Sequence, residues 1–303
     1  MNSKNTELDL TIDFRSDWTE ILRQKLIEAG YSVDSNQAPD AICIQYFNTL
    51  KRRIEPRSRK VLIAKEFKCP TEHTEGVNIV CQKAESGEDL TPHLNKIHSP
   101  DDPDPLLNAW GIYHFHLGTL VDKSGFMKRT GPLLFARVTD DSFYMLDVLG
   151  HGSWYQQRLI DIIHNNWRES IEMYKIRGVD RLTIPLPTDE DVAKFRKSNI
   201  NIPLQVSDGT IYAPLGGGQT ISGIDLDVRV TCSCYRGTIR NLEKHVRNNL
   251  AHFRDIARQH DLELPPQPHF QLQLVDGNAY AVELNVRISY KLCEMPLQIL
   301  MSL

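Results

Sequence analysis

Between residues 112 and 150 three apolar runs follow one another: IYHFHLG (112–118), LLFARVT (133–139) and SFYMLDVLG (142–150). Only Asp140 and Asp141 separate the last two. Runs of this length, rich in β-branched and aromatic side chains, read as strands, and a two-residue connection makes the second pair an antiparallel hairpin. Successive side chains of a strand alternate between faces. His114 and His116 are therefore expected on one face of the first strand, with Tyr113, Phe115 and Leu117 on the other. The middle of the chain reads as an antiparallel sheet with one apolar face and one face that carries two imidazoles.

The flanking sequence divides into two further regions. In residues 1–98, LDLTIDF (8–14) alternates as a strand. RSDWTEILRQKLIEAG follows as a helix capped by Ser16, with Trp18, Ile21, Leu22 and Leu26 on one face and Gly30 ending it. AICIQYF (41–47), KVLIAKEF (60–67) and VNIVCQK (77–83) read as buried strands, which makes a small N-terminal α/β unit. SGEDLTPHLNKI carries a short helix signal, and the three prolines of HSPDDPDPLL (98–107) sustain neither helix nor central strand and mark a boundary. The middle region, 108–179, ends in an amphipathic helix, SWYQQRLIDIIHNNW, capped by Ser153. From 180 to 303, DRLTIPL, the hairpin-like IPLQVSDGTIYAPL and a strand with alternating Ile224, Leu226, Val228 and Val230 precede one long helix at 238–260. A hairpin about DGNA follows. This last region is expected to be an α+β packing or oligomerisation domain, and the fold class is α+β.

Composition narrows the function classes. Thirty-five Lys and Arg stand against 39 Asp and Glu, a net charge of −4, which weighs against binding nucleic acid through a broad basic surface but leaves room for a local groove. NTLKRRIEPRSRK is such a local concentration. Its Lys51, Arg52, Arg53, Arg57, Arg59 and Lys60 make either a solvated face or a phosphate-binding patch. The six cysteines form no CxxC pair; Cys43, Cys81 and Cys232 lie in strand-like apolar runs as buried thiols, and CSC at 232–234 lacks a second zinc knuckle. The N-terminus has no basic-then-apolar signal and no apolar span approaches membrane length, so a cytoplasmic protein without membrane contact is expected. GGGQ at 216–219 is followed by no Lys and precedes a strand-like segment, which reads as a flexible turn and not a phosphate loop.

Three readings compete for the imidazole pair. The histidines are hydrogen-bonding residues of a surface or domain boundary; or they are two ligands of a metal-dependent hydrolase, with His151 or Asp147 as the third; or they do acid–base chemistry on a phosphodiester. Cleavage of RNA without metal needs a base for the 2′-hydroxyl, an acid for the leaving 5′-oxygen and cations around the phosphorus, and histidine and arginine suit these tasks. His114, His116, His151, Arg129, Arg137 and Tyr155 are the candidate catalytic set, and Lys128, Arg52 and Arg53 the candidate substrate-binding set, with Lys123 nearby. No metal and no cofactor is expected on this reading. Asp147 and Asp161 are acids near the histidines in sequence, and Trp110, Trp154 and Tyr155 are either core residues or platforms for stacking bases.

HFHLG and KRTGPLLFARVTDDSFYMLDVLGHGSWY together resemble the strand-rich half of the RelE/ParE-like and EndoU-like ribonuclease toxin fold, in which an Arg-bearing strand, a following hairpin strand and a terminal GH occur in order. In this chain those elements are His114 and His116 on one strand, Arg129 before the next, Arg137 on it and His151 after DVLG. The resemblance implies a toxin- or defence-type endoribonuclease, an RNA substrate and an inhibitor or antitoxin protein as partner. A noncatalytic assembly or regulatory protein, forming a homo-oligomer through the 238–260 helix, is the remaining expectation.

Overall fold

The computed structural model describes residues 10–96, 99–179, 182 and 185–295. They form an α+β chain in two compact units, one built from the two ends of the sequence (1–50 and 230–303) and one from its middle (51–229). The proline-rich stretch from Ser99 to Leu107 lies inside the second unit. The strand expected at 180–186 lies largely outside the described residues.

In the first unit β1 (Thr11–Ile12) leads into α1 (Phe14–Glu28), whose Trp18, Leu22 and Leu26 are buried at helical spacing. Its cap is Asp13, which accepts from the Ser16 backbone N–H at 2.9 Å, so the capping oxygen stands three residues before the serine expected to supply it. AICIQYF is not a strand. It lies in α2 (Pro39–Lys51), where Ile42, Cys43, Tyr46 and Phe47 are buried. A short continuous apolar run does not distinguish a buried strand from a helix buried on most sides, and here Pro at the first helical position and the 3–4 spacing decide.

The second unit holds the sheet foreseen for the middle of the chain. β2 (Lys60–Ile63) is one edge, and VNIVCQK, read as a further strand, is helical within α3 (Thr74–Ser86), which ends on left-handed Gly87. α4 (Pro105–Trp110) is capped by Asp104. β3 (Ile112–His116), β4 (Leu133–Val138) and β5 (Ser142–Leu149) follow, and the sheet order is β2-β5-β4-β3, with β2 parallel to β5 and the other pairs antiparallel. A bulge sets Leu146 between the partners of Phe135 and Ala136. α5 (Arg158–Trp167) begins five residues after Ser153, which caps nothing. α6 (Asp189–Lys197) carries a full capping box between Thr188 and Asp191. β6 (Leu204–Gln205) and β7 (Ile211–Tyr212) form the small hairpin.

The two faces of this sheet bury separate cores. Phe115, Leu117, Leu134, Ala136 and Phe143 pack with Val77, Val80 and Ala84 of α3. On the other face Ile112, Leu133 and Phe135 pack with Trp110 of α4, Ile160 and Ile163 of α5 and Val192 of α6. His114 pairs with Phe135 and His116 with Leu133, so both imidazoles stand on this second face, as the alternation required.

GGGQ is a wedged loop, not a flexible one. A Cβ at Gly216 would sit 2.0 Å from the Leu107 carbonyl oxygen, and Gly217 and Gly218 have φ near +91° and +92°. The alternating segment after it is also helical. α7 (Leu226–Asn248) buries Val228, Cys232, Ile239 and Val246, while Val230 is exposed. The long helix expected at 238–260 therefore starts earlier and breaks at Asn249, where α8 (Leu250–Gln259) begins. Cys43, Cys81 and Cys232 are all on helices, and the described cysteines are free thiols. β8 (His269–Val275), β9 (Asn278–Glu283) and β10 (Ile288–Glu294) complete the first unit's sheet, in the order β1-β8-β9-β10. Asp276 and Gly277, both at positive φ, make the β8–β9 turn, and the segment expected to be one hairpin arm holds two strands. No described helix is long and apolar enough to cross a membrane.

Candidate functional site

β3 carries His114 and His116 into a crowded environment, and each is only 6 % exposed. The Asn95 side chain bridges them: its amide nitrogen donates to His114 Nε2, and its Oδ1 accepts from His116 Nε2 at 3.0 Å. A third imidazole completes the row, for His93 Nδ1 donates to the His116 carbonyl at 2.9 Å. Desolvation is the main cause that drives all three below the ordinary histidine range, and His116 is pushed down to about 4, with Arg129 as a further positive neighbour. They are neutral at pH 7. The Nδ1 atoms of both His114 and His116 are buried without a partner. An unsatisfied buried polar group costs about 1–3 kcal/mol, so the His114 nitrogen marks a place where the fold tolerates a loss.

His114 also lines a cavity of about 260 Å³. Alongside His114 its walls include Asn95, Arg52, Asp104, Trp154, Tyr155 and Arg196. Arg196, on α6, is 5 % exposed, with its guanidinium carbon 4.2 Å from the Trp110 ring centroid and 5.1 Å from that of Tyr155. One nitrogen donates to the Trp154 carbonyl at 2.6 Å, Nη2 has no partner, and no described carboxylate pairs with it. Burial lowers its pKa to about 10, which leaves it cationic at pH 7. Arg52 is also buried and donates to the Asp102 carbonyl at 2.7 Å. Two guanidinium groups and one carboxylate around a small cavity leave it net positive, and its aromatic walls present flat surfaces to a ligand.

The expected site residues fall into three groups. His114, Tyr155 and Arg52 line the cavity together. His116 stands behind it through Asn95. His151 is exposed with its ring 5.1 Å from Trp154, whose indole lies 4.6 Å from His114. The rest are elsewhere: Arg137 is buried at the far end of β4, 5.6 Å from the Tyr174 ring, Lys123, Lys128 and Arg129 are exposed, and Arg53 does not line the cavity. Trp110 is core, and its ring also lies against the Arg196 guanidinium.

The acids proposed as third metal ligands or orienting groups are committed to the fold. Asp147 accepts from the Lys68 and Val148 backbone N–H groups and pairs with Arg158 at 2.7 Å, and Asp161 accepts from the Ser207 N–H. Among the described residues no three His, Cys, Asp or Glu side chains are grouped as a metal site would require. Two members of the basic run are likewise spent inside the fold. Lys51 meets Asp225, Asp227 and the Gly216 carbonyl, and Arg59 meets three backbone carbonyls.

Asn95, Asp104 and Arg196 were not foreseen. The Thr188–Asp191 capping pair before Val192 and Phe195 did signal a helix at Arg196, but nothing marked that arginine as buried. No protein-family model, no curated protein and no solved structure matches this chain.

Proposed function

We propose that the 51–229 unit is a metal-independent, ribonuclease-like catalyst that handles a phosphodiester in the cavity beside β3. One observation carries this reading: His114 and Arg196, each with a buried nitrogen that has no partner, line the same cavity. A phosphoryl group would satisfy both, since its oxygens accept from guanidinium and imidazole N–H groups. In this reading Arg196 and Arg52 hold the phosphoryl oxygens and His114 donates to one of them. Asp104 takes the proton of the attacking 2′-hydroxyl, and the solvent-exposed His151 supplies a proton to the leaving 5′-oxygen. Trp154 and Tyr155 flank a base. The resemblance of residues 112–155 to ribonuclease toxins supports the same substrate class and adds an inhibitor protein as the expected partner.

The test is cleavage of a labelled mixed-sequence RNA by the full chain in excess chelator. Products with 2′,3′-cyclic phosphate ends are expected, and His114→Ala and Arg196→Met should each lose about 100-fold in rate. Intact RNA with wild-type protein, or equal rates in both variants, overturns the reading. In cells, overexpressed wild type should slow growth and His151→Ala should not.

A further inference from the structure

We infer that Asn95 is a positioning residue that holds His114 and His116 in opposite tautomers, so that His114 presents an N–H to the cavity and selects a ligand that accepts there, an oxyanion.

A primary amide has a donor end and an acceptor end, and a neutral imidazole has one N–H and one lone pair. Asn95 spends its nitrogen on His114 Nε2, which must then be the lone pair, and the His114 proton is left on Nδ1. It spends its Oδ1 on His116 Nε2, which must then carry the proton, and His116 Nδ1 is bare. The two free Nδ1 atoms are both buried and partnerless, yet they are chemically opposite. A half-turn of the amide would exchange both tautomers together, so the pair stays complementary in either state.

The charged groups around the pair favour the orientation seen. Asp104 is the carboxylate that acts on His114 and shares its cavity, and it favours a donor there; Arg52 and His151 act on His114 as positive neighbours. Arg129 acts on His116 as a positive neighbour, and a bare Nδ1 suits it. The bridge also makes the two residues unequal toward acid. A second proton on His116 leaves its bond to Asn95 intact, whereas a second proton on His114 would set N–H against N–H. The hydrogen-bond pattern stands whether or not the oxyanion belongs to RNA.

The experiment is long-range proton–nitrogen correlation NMR on the ¹⁵N-labelled full chain at pH 7, with His114→Gln and His116→Gln used to assign the two rings. One Nδ1–H ring at His114 and one Nε2–H ring at His116 are expected. Two rings in the same tautomer, or the reverse assignment, overturn the inference. Inorganic phosphate should shift the His114 signals, and no shift at saturating phosphate overturns the oxyanion selectivity. Asn95→Asp offers acceptors on both sides, so His114 should move its proton to Nε2, and phosphate affinity should fall about tenfold or more. A folded Asn95→Asp protein that keeps the Nδ1–H overturns the positioning role. If that variant does not fold, the wild-type tautomers still decide. Phosphate binding with these tautomers but no RNA cleavage would sink the ribonuclease reading and leave this one standing.

Discussion

Lowering the pH should destabilise the 51–229 unit well before its carboxylates begin to protonate. Burial holds His93, His114 and His116 neutral in the folded chain, while an unfolded chain takes up protons on them below about pH 6.5. The unfolded state therefore binds more protons from about pH 6.5 downward, and stability is lost as the pH falls through that window toward the folded value. For His116 the drop to about 4 is worth on the order of 3 kcal/mol, most of it lost by about pH 4.5. Asp225 works in the opposite sense, since burial raises its pKa and the folded chain then holds a proton just above the ordinary carboxylate range. A variant comparison removes that contribution. Urea unfolding followed by the fluorescence of Trp110, Trp154 and Trp167, repeated between about pH 7.5 and 4.5, should give a falling free energy in the wild type. His116→Gln should flatten the fall by about 2–3 kcal/mol. A wild-type curve that is level across this range, or a variant with the same slope, would show that His116 is not held neutral by burial.

Three further outcomes follow from the same unit. Gly216→Ala drives a Cβ to 2.0 Å from the Leu107 oxygen and 2.5 Å from that of Asn108, both backbone atoms, and should destabilise by about 3 kcal/mol or more in thermal unfolding; a neutral substitution would mean the loop is not seated there. Lys51→Met leaves the Asp225 carboxylate, whose side chain is 0 % exposed, without its 2.6 Å partner, and should cost about 3–5 kcal/mol, partly restored by adding Asp225→Leu. Arg196→Lys keeps the charge but loses the planar fork between Trp110 and Tyr155, and calorimetry should show phosphate affinity lowered about tenfold or more; unchanged affinity would remove Arg196 from the site.

The strands β3, β4 and β5 were legible because their short apolar runs are bounded by Gly, Pro and Asp turn residues, and the faces of His114 and Phe115 follow from the period of two along a strand. The helices α2 and α3 were not legible from the same signal. Each buries a continuous apolar run, and a helix covered on several sides loses the polar stripe that marks an amphipathic one. α7 failed for another reason. Ile224, just before it, and its Leu226, Val228 and Val230 do alternate in type, but only Val228 of the four is buried, so the alternation was not a burial pattern.

The site divides along a similar line. The HxH spacing was visible because it needs only local geometry, whereas Asn95 and Arg196 reach the histidine through the tertiary fold, 19 and 82 positions away. Charge density along the chain pointed to the basic run at 51–60, and two of its cations, Lys51 and Arg59, are consumed within the fold. Arg59 is closed off by the Thr139, Glu55 and Arg57 carbonyls, and Lys51 by two carboxylates. A cation can bind a ligand only with donors its own fold has not used. Arg196 gives one bond to a carbonyl, lies against the Trp110 and Tyr155 rings, and keeps Nη2 without a partner. The isolated arginine on α6 is therefore better placed to hold an anion than Lys51 or Arg59 of the basic run, because binding depends on unspent donors and not on the density of charge.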